Sequence, residues 1–180
     1  MRRLLKDREY IKEKSEKMRT KKTVFAALFA ALTCVMTMLI KVPSPLKGYL
    51  NLGDSAVLVS GWFLGPAYGF AAAAIGSALA DLFGGYAVYV PATFVIKGTM
   101  ALLAFAVAHS GEKPKLTVRR IISGIVAEAF MVLGYFVFEG FLYGFAPSLL
   151  DIPANILQGA FGIVLGVTAA KVFEKSHIEF

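Results

Sequence analysis

Residues 55–80 read SAVLVSGWFLGPAYGFAAAAIGSALA, and this stretch decides how many helices the chain forms. It contains no charged residue and has Gly65-Pro66 near its middle. It therefore predicts either one kinked helix or two helices joined by a tight turn. As two helices, the first would cover about residues 51–65 and would be about 22 Å long, which is short for a hydrocarbon core of about 30 Å. Length alone does not decide between the two.

The composition of the whole chain points to a membrane. Of its 180 residues, 57% are hydrophobic and 17% are charged, against about 45–50% and about 25% in water-soluble domains. A chain this short has too little interior to bury the excess in water. This excludes an ordinary soluble enzyme and a disordered chain, and the single cysteine, Cys34, excludes a disulfide scaffold.

The positions of the basic residues decide the number of spans. Six spans with a cytoplasmic N-terminus place sixteen Lys and Arg inside and two outside, whereas five spans place ten inside and eight outside. The excess of basic residues on the cytoplasmic side of membrane proteins selects six. We therefore predict an all-α integral membrane protein, a compact six-transmembrane-helix bundle with both termini cytoplasmic. The predicted spans are about 23–41, 51–65, 67–84, 91–109, 120–145 and 152–173.

The first 22 residues differ from the remainder, residues 23–180, which form the six-helix membrane domain. They hold ten of the nineteen Lys and Arg, and a short basic tail before an apolar body favours a lipid partner over nucleic acid. Leu4, Ile11 and Met18 recur every seven residues, which predicts a basic amphipathic cytoplasmic helix on the inner leaflet. A frayed, solvated tail is the alternative.

Motifs for catalysis and metal binding are missing from the sequence. There is no G-x-x-x-x-G-K-[ST] phosphate loop, no H-E-x-x-H and no Cys/His cluster. His109 and His177 both fall at predicted helix ends. The sequence therefore predicts no catalytic residue, no metal site and no cofactor.

Polar residues that recur at one depth in the membrane are the main functional signal. Counted from the outer ends of their spans, Lys97 and Glu139 each lie about 9 Å in and Gln158 about 8 Å in, with Asn155 one turn above it. Ionisable residues inside a membrane usually face the bundle interior or a cavity. We expect these four side chains to line a pocket that opens outward. The alternatives are a structural Lys97–Glu139 ion pair and amides that hold helices together.

Aromatic residues and a loop complete the predicted pocket. Tyr135 lies one turn from Glu139, and Tyr86, Tyr89 and Phe94 lie near the outer mouth; aromatic walls suit flat polar ligands. These aromatics could instead form an interfacial belt. The segment 41–54, which contains Asn51, is expected to fold back over the pocket.

Three further acidic residues have simpler explanations. We expect Asp54 to cap the second span. Glu128 lies near mid-membrane and is expected to be a protonated packing residue. Asp81 is expected at the outer interface or against an outer loop.

The stretches Tyr49-Leu-Asn-Leu-Gly-Asp54, Gly65-Pro66, Ala80-Asp81 and Tyr89-Val-Pro-Ala-Thr-Phe-Val-Ile-Lys97-Gly98 resemble a known family. Together with the six spans, they resemble the S components, the substrate-binding subunits, of energy-coupling-factor (ECF) vitamin transporters. The likeness is to the riboflavin, hydroxymethylpyrimidine and pyridoxine group.

This resemblance implies a prokaryotic cell-membrane protein with one vitamin pocket near the outer surface. It also implies a docking surface on span 1 for a membrane T component, which is coupled to two cytoplasmic ATPases. By that likeness the surface comprises Ala26, Ala27, Ala30 and Ala31.

The predicted function is therefore vitamin uptake without enzymatic activity. We favour a B6-type pyridine or related pyrimidine as the ligand, with riboflavin as the alternative. A small proton-linked carrier or intramembrane enzyme that uses Glu128 and Glu139 is the alternative from another class. The expected substrate-binding residues are Asn51, Tyr86, Tyr89, Lys97, Tyr135, Glu139, Asn155 and Gln158.

Overall fold

The computed structural model describes residues 2–44, 46, 48–111 and 115–176, with side chains for residue 8 and for residues from 11 onward within these ranges. Lys47, Lys113, His177 and the side chain of Leu4 lie outside this part. In chain order the elements are α1 (Arg2–Leu39), β1 (Val42–Pro43), β2 (Tyr49–Leu50), α2 (Gly53–Leu64), α3 (Pro66–Phe83), α4 (Val90–Ala108), α5 (Leu116–Tyr143), α6 (Phe145–Ser148) and α7 (Ile152–Lys175). The predicted helical membrane bundle is confirmed, and each predicted span corresponds to a helix.

Gly65 and Pro66 separate two helices, as the six-span interpretation requires. Gly65 has a φ of +82°, a left-handed conformation that L side chains rarely adopt, and Pro66 is the first residue of α3. A proline at this position costs no helical hydrogen bond, because its missing N–H would have had no partner. The charge-free stretch therefore turns sharply instead of kinking.

The second helix is short because it lies inside the bundle. α2 has 12 residues, and 11 of them are buried. It packs against α1, α3, α4 and α7. The other five long helices are each long and apolar enough to cross a membrane. They surround α2, so α2 contacts protein instead of lipid and can be shorter than the hydrocarbon core is thick.

Small residues let the outer helices pack closely. A side-chain carbon added to Gly76 on α3 would collide with the backbone of Ala30 on α1. Large apolar side chains cover the outside instead: Phe141 is 80% exposed and Val164 is 63% exposed. Such a surface suits lipid and would be costly in water.

The tail continues directly into the first span. α1 runs from Arg2 to Leu39 without a break between residues 22 and 23. The backbone of residues 2–22 is thus helical, as the first part of one long helix and not as a separate short one. Its position on the inner leaflet stays a prediction.

Candidate functional site

A cavity lies at the end of the bundle that carries the segments 40–52, 84–89 and 144–151, which we call the loop end. Its empty volume, including space open to solvent, measures about 390 Å³. The lining residues are Ser44, Gly48, Tyr49, Asn51, Asp81, Tyr86, Tyr89, Thr93, Tyr135, Glu139, Asp151, Asn155 and Gln158.

Two carboxylates form one wall of the cavity, Glu139 near the end of α5 and Asp151 directly before α7. Glu139 is 3% exposed; its Oε1 accepts a hydrogen bond from the Tyr89 hydroxyl at 3.2 Å, and its Oε2 has no partner among the described residues. Asp151 accepts hydrogen bonds from Ser44 Oγ at 2.7 Å and from the Leu46 N–H at 3.1 Å. Asp151 thus holds the loop, whereas Glu139 keeps one oxygen unsatisfied.

The segment 41–52 covers the cavity, as expected. β1 and β2 pair antiparallel, with Val42 opposite Leu50. The Tyr49 hydroxyl donates to Asp81 Oδ1 at 2.6 Å, which ties this hairpin to the end of α3. Burial and the charge of Asp81 raise the pKa of Tyr49, so its hydroxyl stays a donor. Asp81 therefore makes the outer-loop contact that the sequence suggested.

Four tyrosines form the aromatic side of the cavity. The ring centroids of Tyr49 and Tyr86 lie 4.5 Å apart, those of Tyr86 and Tyr89 6.3 Å apart, and those of Tyr89 and Tyr135 6.5 Å apart. Burial, followed by the Glu139 charge, raises the pKa of Tyr89. Phe94 instead packs on Phe70 and is 39% exposed, so it does not contribute to this wall.

A second polar cluster lies next to the cavity. Lys97 forms a buried ion pair with Asp54, whose Oδ2 accepts a hydrogen bond from Gln158 Nε2 at 2.7 Å. Gln158 Oε1 in turn accepts from the backbone N–H and the side-chain Nδ2 of Asn51, at 2.9 and 3.2 Å. The cluster connects α2, α4, α7 and the loop, so the two amides do hold elements together.

Two placements made from the sequence differ in the structure. Lys97 pairs with Asp54 instead of Glu139, because α2 lies between α4 and α7 and brings Asp54 to the Lys97 ammonium. Lys97 is not among the described residues that line the cavity, and its contact with a ligand stays a prediction. Asp54 does not cap α2. Its side chain is fully buried and is used by Lys97 and Gln158.

Glu128 is buried on α5 with no hydrogen-bond partner on either oxygen among the described residues. Its side chain lies against Gly159 and Gly162 on α7, where an added side-chain carbon would collide with it. Packing against small residues agrees with the expected packing role.

Most of the predicted pocket residues do converge. Seven of the eight line the cavity, namely Asn51, Tyr86, Tyr89, Tyr135, Glu139, Asn155 and Gln158. Their contact with a ligand stays a prediction. Sequence reasoning did not include Asp151 in the pocket. Its place two residues before Pro153, directly before a predicted helix, was the available signal, although that pattern equally indicates a cap.

The four alanines of α1 border an apolar groove between α1 and α3. Ala26 is buried and Ala30 is half-buried against α3, whereas Ala27 and Ala31 are exposed. The groove also contains Ile75 and Leu79 of α3. Of the four alanines, Ala27 and Ala31 therefore present the most open surface to another protein.

A sequence model of the ECF-type riboflavin transporter S component family matches residues 17–175. The chain belongs to this family. ECF S components are not enzymes; they bind a small-molecule substrate and associate with T and ATPase components.

Two individual relatives are similar to this chain over most of its length. A Pyrococcus woesei protein, "Uncharacterized protein in gap 3'region", is 33% identical over 143 residues, which cover 78% of this chain and 93% of the relative. The "Thiamine precursor transporter HmpT" of Lactococcus lactis is 26% identical over 160 residues, covering 88% and 90% of the two chains.

A solved structure shows the same fold. It is described as "Structure and mechanism of the S component of a bacterial ECF transporter" and superposes with a TM-score of 0.71 at 23% identity. The superposition covers 89% of this chain and 99% of that one. This S component is thus a multi-pass membrane protein with the fold of a solved family member.

Proposed function

We propose that this S component captures a small water-soluble vitamin or precursor, a B6-type pyridine or a related pyrimidine, in the cavity at the loop end. The observation that carries the proposal is the unpaired Glu139 oxygen beside four tyrosines. Aromatic faces and a few polar anchors are the features that hold flat polar ligands. The likeness to a thiamine precursor transporter supports a ligand of this size.

The direction of uptake follows from charge. The basic residues 1–22 and the Lys115–Arg120 region lie at the opposite end from the cavity. The positive-inside rule assigns that end to the cytoplasm. The cavity then faces outward, both termini are cytoplasmic, and the ligand is captured from outside the cell.

Delivery to the cytoplasm is proposed to require a T component and two ATPases. The chain has no phosphate loop of its own. The apolar groove between α1 and α3 is the proposed docking surface for the T component, with Ala27 and Ala31 at its open side.

Ligand binding is tested by calorimetric titration of the purified full chain with pyridoxine, hydroxymethylpyrimidine and riboflavin. Binding of one small ring supports the proposal, and binding of riboflavin alone supports the alternative within the family. Failure of all three probes to bind would contradict the assigned ligand group.

The docking surface is tested by uptake into cells that hold the whole transporter. Ala27→Trp should abolish uptake and leave ligand binding by the purified chain unchanged, because Ala27 is remote from the cavity. Val164→Trp, on the exposed face of α7, is the matched control. Normal uptake by Ala27→Trp would contradict this surface.

One observation favours a proton-linked carrier as a second candidate, namely the unpartnered carboxyl of Glu128 inside the bundle. In that case Glu128→Gln should abolish uptake, and ATP depletion with a maintained proton gradient should not. The proposed function predicts the reverse of both results.

A further inference from the structure

A buried carboxyl group on α5, that of Glu128, is not among the residues that line the cavity. It is 4% exposed, and neither of its oxygens has a hydrogen-bond partner among the described residues. Carbons added to Gly159 and Gly162 of α7 would lie 3.1 Å from its Oε2 and 2.8 Å from its Oε1. α7 therefore faces both oxygens with glycines that offer no side-chain donor. An ionised carboxylate is costly in such surroundings, which favours the protonated form of Glu128.

The charges around Glu128 favour the same form. Among the described residues, the charged groups that act on its carboxyl are Asp54 on α2 and Lys97 on α4. Lys97 and Asp54 form a buried ion pair, so this part of the bundle holds two carboxyl groups and one cation. If both carboxyl groups were ionised, one negative charge would be buried without a partner, and a single proton removes that charge.

The side chains of Asp54 and Glu128 meet at α7. A carbon added to Gly162 would lie 2.9 Å from Asp54 Cβ and 2.8 Å from Glu128 Oε1, so Gly162 has no side chain to separate the two. The Lys97 ammonium also lies 5.5 Å from the ring centroid of Tyr135, which is two helical turns from Glu128 on the same face of α5. Lys97 thus contacts both Asp54 and the face of α5 that carries Glu128.

We propose that Asp54 and Glu128 form a site for one proton, with Lys97 as the cation that they share. In the state seen here, Glu128 holds the proton and Asp54 pairs with Lys97. In the exchanged state the proton has moved to Asp54, and the Glu128 carboxylate pairs with the Lys97 ammonium. One O–H bond breaks and another forms, and the net charge is unchanged, so neither state leaves a buried charge unpaired.

The exchange acts on the loop that covers the cavity. Asp54 Oδ2 accepts a hydrogen bond from Gln158, which in turn accepts from Asn51 in the loop. A neutral carboxyl group is a weaker acceptor than a carboxylate, so the exchanged state holds Gln158 and the loop less tightly. The proton stays between two side chains of the protein, which distinguishes this site from that of a proton-linked carrier.

Infrared spectroscopy of the purified full chain tests the site without any ligand. The carbonyl band of a protonated carboxyl group should be present in the unaltered chain and smaller in Glu128→Gln. It should be smaller by a similar amount in Asp54→Asn, although Glu128 is intact, because Glu128 then ionises to pair with Lys97. Glu174→Gln, which removes the partner of Arg120, is the control and should leave this band unchanged.

Thermal unfolding in detergent measures the shared cation independently. Glu128→Gln alone should change the melting temperature little, because a protonated carboxyl and an amide are both neutral. Added to Asp54→Asn, the same substitution should lower the melting temperature much further, because Lys97 then has neither carboxylate as a partner. Asp54→Asn alone should fold, since Glu128 replaces Asp54.

Three results would overturn the shared site. The first is an infrared band that is unchanged in Glu128→Gln, which would show that Glu128 holds no proton. The second is a band that persists in Asp54→Asn, which would leave Glu128 as a packing residue only. The third is an Asp54→Asn chain that does not fold, because Glu128 would then have failed to take over Lys97. None of these results bears on the proposed function, since no ligand is used.

Discussion

Two neighbouring buried carboxylates, Asp54 and Glu139, differ in how many partners they have. Asp54 has Lys97 and Gln158 as partners, and its network reaches Asn51 in the loop. Glu139 lies in the cavity wall with one oxygen unpaired, and no Lys, Arg or His is among the lining residues that the structure describes. A balanced cluster stabilises the fold, whereas an unbalanced one is suited to an incoming partner. The difference supports a structural role for the Asp54 cluster and the proposed ligand-binding role for Glu139.

The largest expected effect comes from breaking the balanced cluster. Lys97→Met leaves the Asp54 carboxylate buried without its cation and should cost about 3–5 kcal/mol of unfolding free energy. Thermal unfolding in detergent measures this. The exposed Lys171→Met is the matched control and should change little.

The double variant Asp54→Asn/Lys97→Met sharpens the same comparison. Removing both charges should restore most of the lost stability, because no buried charge is then left unpaired. A Lys97→Met protein as stable as the unaltered chain would contradict the structural role of the pair.

Glu139→Gln should have the opposite profile, with binding lost and stability kept. We expect affinity for the preferred ligand to fall tenfold or more, about 1.4 kcal/mol, because the ligand loses its carboxylate partner. Titration calorimetry and thermal unfolding on the same sample separate the two effects. A large fall in melting temperature without a loss of affinity would show that Glu139 stabilises the fold and does not bind the ligand.

The smallest expected effect concerns the loop that covers the cavity. Tyr49→Phe removes the donor to Asp81 and should weaken closure by about 0.5–1.5 kcal/mol, which is a fewfold faster ligand release. Stopped-flow dissociation measures it, and Tyr68→Phe on α3 is a control that lies outside the cavity lining. Unchanged release would show that the hairpin does not hold the ligand.

The raised pKa of Tyr49 makes a spectroscopic prediction as well. A raised pKa keeps a phenol protonated to higher pH, so Tyr49 should not ionise near pH 10, where an ordinary tyrosine does. The tyrosinate absorbance that appears near pH 10 should therefore be the same in Tyr49→Phe and the unaltered chain. A smaller signal in Tyr49→Phe would show that Tyr49 titrates normally.

The sequence was sufficient for the fold because its signals are local. The Gly65-Pro66 pair and the placement of basic residues predicted the turn and the six helices, and both depend on positions along one chain. The depth of Glu139 and Gln158 followed from helical rise alone. Local geometry therefore predicted the level of the cavity and most of its lining.

The partners of the charged residues were not predictable in the same way. Asp54 was expected to cap α2 because a carboxylate at a helix start commonly does so. Asp54 pairs with Lys97 because α2 packs between α4 and α7. This packing is a feature of the tertiary structure, which the local sequence does not show. Asp151 was missed for the same reason, since its donors come from a loop more than a hundred residues earlier.

Native mass spectrometry of the purified chain, compared with its Glu139→Gln variant, tests the central claim most directly. The account predicts a small ring-sized ligand bound to the unaltered chain and a large decrease of that bound mass in the variant. Equal retention of the same ligand by both proteins would contradict the claim that the Glu139 carboxylate holds the substrate.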